Sequence, residues 1–176
     1  MVKNINVYGA PVLHKKCIPC EPHVPKSFLS EVSEMASQHW AEDVVQLVED
    51  LKDTSMSAPM TTLGLAAPQI WDKEIPCPAV FVVRTNLGSP EIPEWAFTEL
   101  INPQIKIMGK TVRNMEGCLS VPNFTKIINR RANVVVEYQL VTGGEIFKNK
   151  LFSKNDSNAI VVQHEYDHLQ GKLIKR

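Results

Sequence analysis

The segment ahead of Gly171 constrains the fold more than any other. Ser153 reads as an N-cap with Asp156 in the capping-box position, and the helix it opens runs to Gln170, with Gly171 as its C-terminal stop. Ile160, Val161, Val162, Tyr166 and Leu169 spread over most of the helix circumference. A helix apolar all round must be enclosed by other elements. Yet this one carries Gln163, His164, Glu165, Tyr166, Asp167 and His168, a His-Glu-x-x-His pattern. Residues i and i+4 share one helical face, so two histidines there can hold one ion, with the glutamate beside it as a proton carrier. The plain alternative is an amphipathic helix that happens to carry two histidines. Burial favours the ion, because two enclosed imidazoles and an acid need strong compensation.

A chain of 176 residues, 44% of them apolar, suits a single domain with one core. Lys plus Arg number 19 and Asp plus Glu number 19, which argues against a general binder of nucleic acid or membrane surface. Lys148, Lys150 and Lys154 read as a solvated face. No apolar run nears the ~20 residues that span a bilayer, and no signal peptide opens the chain, so cytoplasm is the expected compartment. Cys17, Cys20, Cys77 and Cys118 are then thiols or ligands rather than disulfides. Cys17 and Cys20 have Cys-x-x-Cys spacing without a second pair or a strand-to-helix context, so they read as two reduced thiols in a loop.

Helical spacing of Phe28, Val32, Met35 and Ala36, continued by Trp40, Val44, Val48 and Leu51, predicts a helix over 27–53 capped by Ser27. Residues 53–62 read as a loop. Ala79 to Arg84 is an apolar strand, 86–96 a loop, and Trp95 to Ile101 a strand ended by the turn signal Asn102-Pro103. Ile105 and Ile107 alternate as in a half-buried strand, Gly109 breaks it, and Val112 begins another. Ala132 to Leu140 and Glu145 to Phe152 pair across a turn at 141–144. Separated strands with helices towards the two ends predict an α+β fold.

Three stretches remain: Gly64-Leu-Ala-Ala-Pro-Gln69, Glu116-Gly-Cys-Leu-Ser120 and Gln163 to Gly171. In this order and spacing they resemble the three motifs of the peptide deformylase family, and Tyr8 to Leu13 is similar to its opening segment. The resemblance implies one catalytic domain over 1–176, with antiparallel or mixed sheets packed around a central C-terminal helix. It implies that Cys118, His164 and His168 are metal ligands, leaving a fourth position for water as a catalytic site requires. Fe²⁺ is expected in the cell, and Zn²⁺, Ni²⁺ or Co²⁺ can take its place. Glu165 matches the general base and acid, and Gln69 with the Leu119 backbone matches the oxyanion donors. Gly64 and Gly117 match residues lining the substrate site, with Leu63, Phe124, Ile160 and Val161 as candidate walls of a methionine pocket. Glu116 and Arg130 match a supporting pair, for which an ordinary surface salt bridge is the plain alternative. The implied reaction is hydrolysis of the N-formyl group of formylmethionyl nascent peptides, releasing formate.

Three departures from the family pattern stand out. Thr62 occupies a position usually held by glycine. Thr125 replaces a residue basic in many members, which removes a charge near the entrance. Only five residues follow Gly171, so docking on the ribosome through a C-terminal helix is not expected. Monomer is the expected state. Two rival functions share the motif, a zinc endopeptidase and a non-catalytic peptide-binding homologue. The position of Cys118 upstream of the histidines argues against the first, and the complete set of ligands and acid against the second.

Overall fold

The computed structural model describes residues 1–20, 31–86, 94–142, 145–154 and 157–174, with 31–42, 86, 108, 142, 145–154 and 157 described by backbone alone. Its elements are α1 (Glu31–Ser57), β1 (Gly64–Ala66), β2 (Val80–Asn86), β3 (Trp95–Cys118), β4 (Val121–Thr142), β5 (Glu145–Lys154) and α2 (Ser157–Leu169), with single 3₁₀ turns at Pro11–His14 and Ala67–Gln69. The strands form one antiparallel sheet in the order β1-β2-β3-β4-β5. The α+β expectation holds.

Val80, Phe81, Val82 and Val83 in β2 are all buried, with α1 and α2 both packed on this strand. A strand covered on both faces reads as a continuous apolar run rather than an alternating one, as Ala79 to Val83 does. Farther along the sheet one face is wet, and Val134, Val136 and Tyr138 alternate as buried residues with Glu137 exposed. Among the described residues of α2, none from Asn158 to Gln170 is exposed. No helix among the described residues is long and apolar enough to cross a membrane.

Several boundaries differ from those predicted. α1 runs on to Ser57 without a break, through Asp53 to Met56, where a loop was expected. Tertiary contacts override the weak helical propensity of this stretch. Thr54 and Ser55 are buried, and the Thr54 hydroxyl accepts the Lys3 backbone N–H at 2.9 Å. Arg84 then closes the helix end. It is 2% exposed, donates from Nη1 to the Ser55 carbonyl at 2.7 Å and from Nη2 to the Pro59 carbonyl at 2.8 Å, and lies 4.5 Å over the Trp95 ring. A cation at the C-terminal end satisfies orphan carbonyls and suits the helix dipole. The Ser27 cap lies outside the described residues, as do 87–93 of the predicted loop, Gly143 and Gly144, and Asp156.

Asn102 and Gly109 do not end strands. They are bulges in one 24-residue strand, at register slips between Ile101 and Gln104 and between Met108 and Thr111. Asn102 has φ 49° and Gly109 has φ 80°, left-handed values that let one strand bend while pairing continues. The Asn102 amide bonds both backbone groups of Cys20, so the bulge docks the N-terminal segment. Ser153 is not a helix cap. It pairs with Val134 within β5, and α2 begins at Ser157. The β4–β5 register absorbs the residues that local capping logic assigned to the helix. The Lys148, Lys150 and Lys154 side chains lie outside the described ones. Ile107 is exposed rather than half-buried. Cys17, Cys20 and Cys77 are free thiols in the core; Cys17 and Cys20 are the two reduced thiols in a loop that were expected, and both are buried.

Candidate metal centre

α2 brings His164 and His168 together one turn apart, their ring centres 5.1 Å from each other. Gly171, at φ 69°, ends this helix: its N–H donates to the His168 carbonyl, and that of Lys172 to the Asp167 carbonyl. Cys118 arrives from the far end of β3, where Cys118 pairs with Val121 across a tight turn at Leu119 and Ser120. Its Sγ stands 3.3 Å from His168 Nε2. One donor atom from each of Cys118, His164 and His168 lies within 4.8 Å of the others.

This set fits a divalent cation. A thiolate and an imidazole nitrogen bound tetrahedrally to one ion stand about 3.5 Å apart, from bond lengths of about 2.3 and 2.0 Å. Burial holds His168 well below the usual imidazole range, so its ring is neutral and available as a ligand. Burial would lower His164 as well, but hydrogen bonds with Cys118 and Glu116 raise it to about 10. Without an ion, His164 therefore carries a proton that metal binding must displace.

Behind His164 stands a buried ion network. His164 Nδ1 and Glu116 Oε2 are 2.9 Å apart, and Arg130 grips both Glu116 oxygens, from Nε and Nη2, at 2.8 Å each. Arg130 Nη1 also donates to Asp167 Oδ2 at 2.6 Å. Burial by itself would raise the Glu116 carboxyl, yet the hydrogen bonds from Arg130 and His164 hold it at about 2. The pair is thus no ordinary surface salt bridge. It fixes the orientation of the His164 ring, as carboxylates behind metal-bound histidines do. Asp167 was not anticipated, although its position three residues after His164 on the same helix was a readable signal. Arg130→Met is expected to weaken Zn²⁺ binding about tenfold and to lower the unfolding midpoint, because the buried Glu116 loses both of its bonds from Arg130 and keeps only His164 as a partner. Competition with a chromophoric chelator and a thermal melt measure the two effects. The Glu116 contribution is present above pH 4.5 and is lost as pH falls from there through about 2.

Glu165 is 4% exposed and its Oε2 has no partner among the described residues. Burial pushes its carboxyl up to about 7, against the opposing charge of His164. Gly64, at the start of β1, backs directly onto it. A Cβ there would lie 2.6 Å from Glu165 Oε1 and 2.8 Å from Val161 Cγ1.

Gln69 sits on the 3₁₀ turn after β1. Its Oε1 accepts the Ala66 N–H at 2.8 Å, which aims Nε2 at Ser120 Oγ, 3.3 Å away, and Cys118 Sγ, 3.8 Å away. The N-terminal segment ties these pieces together. Asn6 N–H donates to the Gln69 carbonyl, Tyr8 N–H to the Ser120 carbonyl, and Cys17 N–H to the Leu169 carbonyl. Ser120 and Tyr8 fall in stretches that carry the family resemblance, but neither was assigned a role at the site, and neither Asn6 nor the Cys17 backbone carried a motif signal for it. Gln163 joins α2 to β4, bonding both backbone groups of Arg131.

A cavity of about 430 Å³ opens onto this centre. Leu63, Gly64, Gln69, Glu116, Gly117, Cys118, Leu119, Ile160, Val161, His164 and Glu165 line it, and Thr61, Thr62, Asn114 and Met115 form the remainder. His168 lies deeper. Phe124 does not line the cavity. The slip between Gly117 and Cys118 leaves Pro122 to Phe124 unpaired on β4, with Asn123 at φ 58°, and Phe124 falls on this bulge. Thr125 is exposed, opposite Gly117.

The sequence matches the polypeptide deformylase family profile over residues 2–176. A peptide deformylase of Pseudothermotoga lettingae is 35% identical over 175 residues, covering 98% of this chain and 81% of the relative. The crystal structure of peptide deformylase from Thermotoga maritima superposes with a TM-score of 0.67 at 31% identity, covering 99% of this chain and 95% of the other. A Met-Ala-Ser-bound class I type b peptide deformylase from Acinetobacter baumannii gives a TM-score of 0.66 at 25% identity, over 98% of this chain and 96% of that one. With a family profile matched over nearly its whole length and a relative 35% identical over 98% of it, the chain belongs to the polypeptide deformylase family.

Proposed function

We propose that residues 1–176 act as one catalytic unit that hydrolyses the N-formyl group from the N-terminal formylmethionine of newly made polypeptides, releasing formate. The observation that carries this reading is the convergence of Cys118, His164 and His168 beside an unpartnered Glu165 oxygen at the floor of an open cavity. Cys118, His164 and His168 would hold one divalent ion, which when bound supplies the Lewis acidity that makes water nucleophilic near neutral pH. Fe²⁺ is the ion expected in the cell, and Zn²⁺, Ni²⁺ and Co²⁺ suit the same mixed thiolate and imidazole donors.

Glu165 accepts the proton of the attacking water and passes it to the departing amine. Burial raises this carboxyl above the ordinary carboxylate range in the metal-free chain, the direction that suits a group which both takes and returns a proton. Gln69 Nε2 and the Leu119 backbone N–H donate to the oxygen that gains charge at the formyl carbon. A donor of this kind is typically worth about 3 kcal/mol. Leu63, Ile160 and Val161 form the apolar wall for the methionine side chain. The Met-Ala-Ser ligand of the Acinetobacter baumannii relative supports a substrate that begins with methionine. Because nascent chains are the substrate, we place the enzyme in the compartment where translation occurs, the cytoplasm, acting as a monomer.

Anaerobically prepared protein loaded with Fe²⁺ or Ni²⁺ is expected to release formate from formyl-Met-Ala-Ser. Stoichiometric metal with no formate, or cleavage of unformylated internal peptide bonds instead, overturns the proposal.

A further inference from the structure

The rim of the cavity has an unusual make-up. Its charged or titratable lining groups are Glu116, Cys118, His164 and Glu165, all belonging to the floor. The upper lining is Thr61, Thr62, Asn114 and Met115, none of them charged. Thr125, exposed opposite Gly117, adds no charge either. Arg113 and Lys126, on the same two strands, do not line the cavity. Among the described residues of this upper lining, Met115 is the one large apolar side chain, and it is 70% exposed. An apolar side chain left in water beside a peptide-binding cavity gains free energy only when something covers it.

Register supplies the cover. Met115 precedes Cys118 by three positions on an extended strand, about 10 Å at about 3.3 Å per residue. A peptide leaving the centre in extended form, its formyl carbon near Cys118, carries the side chains of its second and third residues over that same span. Building on the deformylase reading above, we propose that Met115 selects the residues that follow formylmethionine, favouring apolar side chains there over acidic and basic ones alike. Thr62 and Thr125 have their part in this as neutral neighbours: among the described residues that line the rim none is charged, and a charged side chain must shed water against the Met115 thioether. Half-covering a leucine and the methionine removes enough apolar surface for a preference of about fivefold to tenfold.

The test compares kcat/KM for formate release from formyl-Met-X-Ser and formyl-Met-Ala-X, with X as Leu, Asp or Lys. The Ni²⁺-loaded protein is expected to favour Leu about fivefold to tenfold over both charged residues at one or both positions. Met115→Gln, of similar size, should abolish that preference, and Met115→Glu should favour Lys over Asp. Both variants sit on the surface, where substitution costs little stability. Formate released equally from all three, or a Leu preference that survives in Met115→Gln, overturns the role of Met115 and leaves the deformylase reading intact. Absence of formate from every peptide with metal bound overturns both.

Discussion

Glu165→Gln is expected to lower formate release about a thousandfold while metal content stays unchanged. Glutamine keeps the shape of the side chain and removes its ability to carry the proton, a service typically worth two to four orders of magnitude. Glu165 is not one of the three converging donors, so the ion should remain. A second consequence separates this from general damage. Burial holds the Glu165 carboxyl at about 7 against an ordinary 4.5, so the folded state binds its proton more tightly than the unfolded state does. In the metal-free protein this group's stabilisation is complete below about pH 4.5 and is lost as pH rises through about 7. The difference corresponds to about 3 kcal/mol at about 1.4 kcal/mol for each tenfold in affinity. Removing the ionisable group should therefore make metal-free Glu165→Gln more stable than the parent at pH 8, and the gain should shrink towards pH 5. Urea melts at the two pH values measure it. A variant both inactive and less stable at pH 8 contradicts this account of the site.

Gly64→Ala is expected to lower kcat about a hundredfold with full metal content. The added methyl would stand 2.6 Å from Glu165 Oε1 and 2.7 Å from its Cγ, closer than real contacts allow, with Val161 blocking the other side at 2.8 Å. Glu165 lies inside the protein and has nowhere to retreat without leaving the reacting atoms. A displacement near 1 Å is enough for a loss of about that size. Gly117 provides the contrast. A methyl there meets only Thr125 Cγ2 at 3.7 Å and the Phe124 carbonyl at 3.9 Å. Gly117→Ala should thus spare Glu165, and any effect should appear in KM rather than kcat. Equal kcat values for the two alanine variants would show that Gly64 merely lines the cavity.

How much was legible beforehand differs from residue to residue for physical reasons. The i, i+4 pair in α2 is a local property of the helix, so His164 and His168 were readable from spacing alone. Burial of that helix was readable too, from apolar residues on every side. Cys118, Gln69 and Leu119 entered only through the family resemblance, because no local rule connects the Gln69 turn, the Cys118–Leu119 turn and the α2 histidines, which are separated by 45 or more positions. The structure brings Cys118 and Gln69 to the metal centre, Leu119 to the cavity above it, and leaves Phe124 outside. Three of the boundary errors followed one pattern. Asn102, Gly109 and Ser153 are punctuation by local chemistry, and in each case ladder pairing with a neighbouring strand was stronger.

What the sequence determined by itself is the chemistry available: two imidazoles and an acid on one enclosed helix, a thiol, and an α+β arrangement around them. Tertiary structure decided which groups act together. The Asn6, Tyr8 and Cys17 backbone bonds pull the Gln69 turn, the Ser120 turn and the end of α2 to one place. Arg130 joins Glu116 to Asp167 behind His164. Gly64 leaves the room that Glu165 occupies. These are contacts between distant segments, and their energies depend on burial and distance, which exist only once the chain has folded.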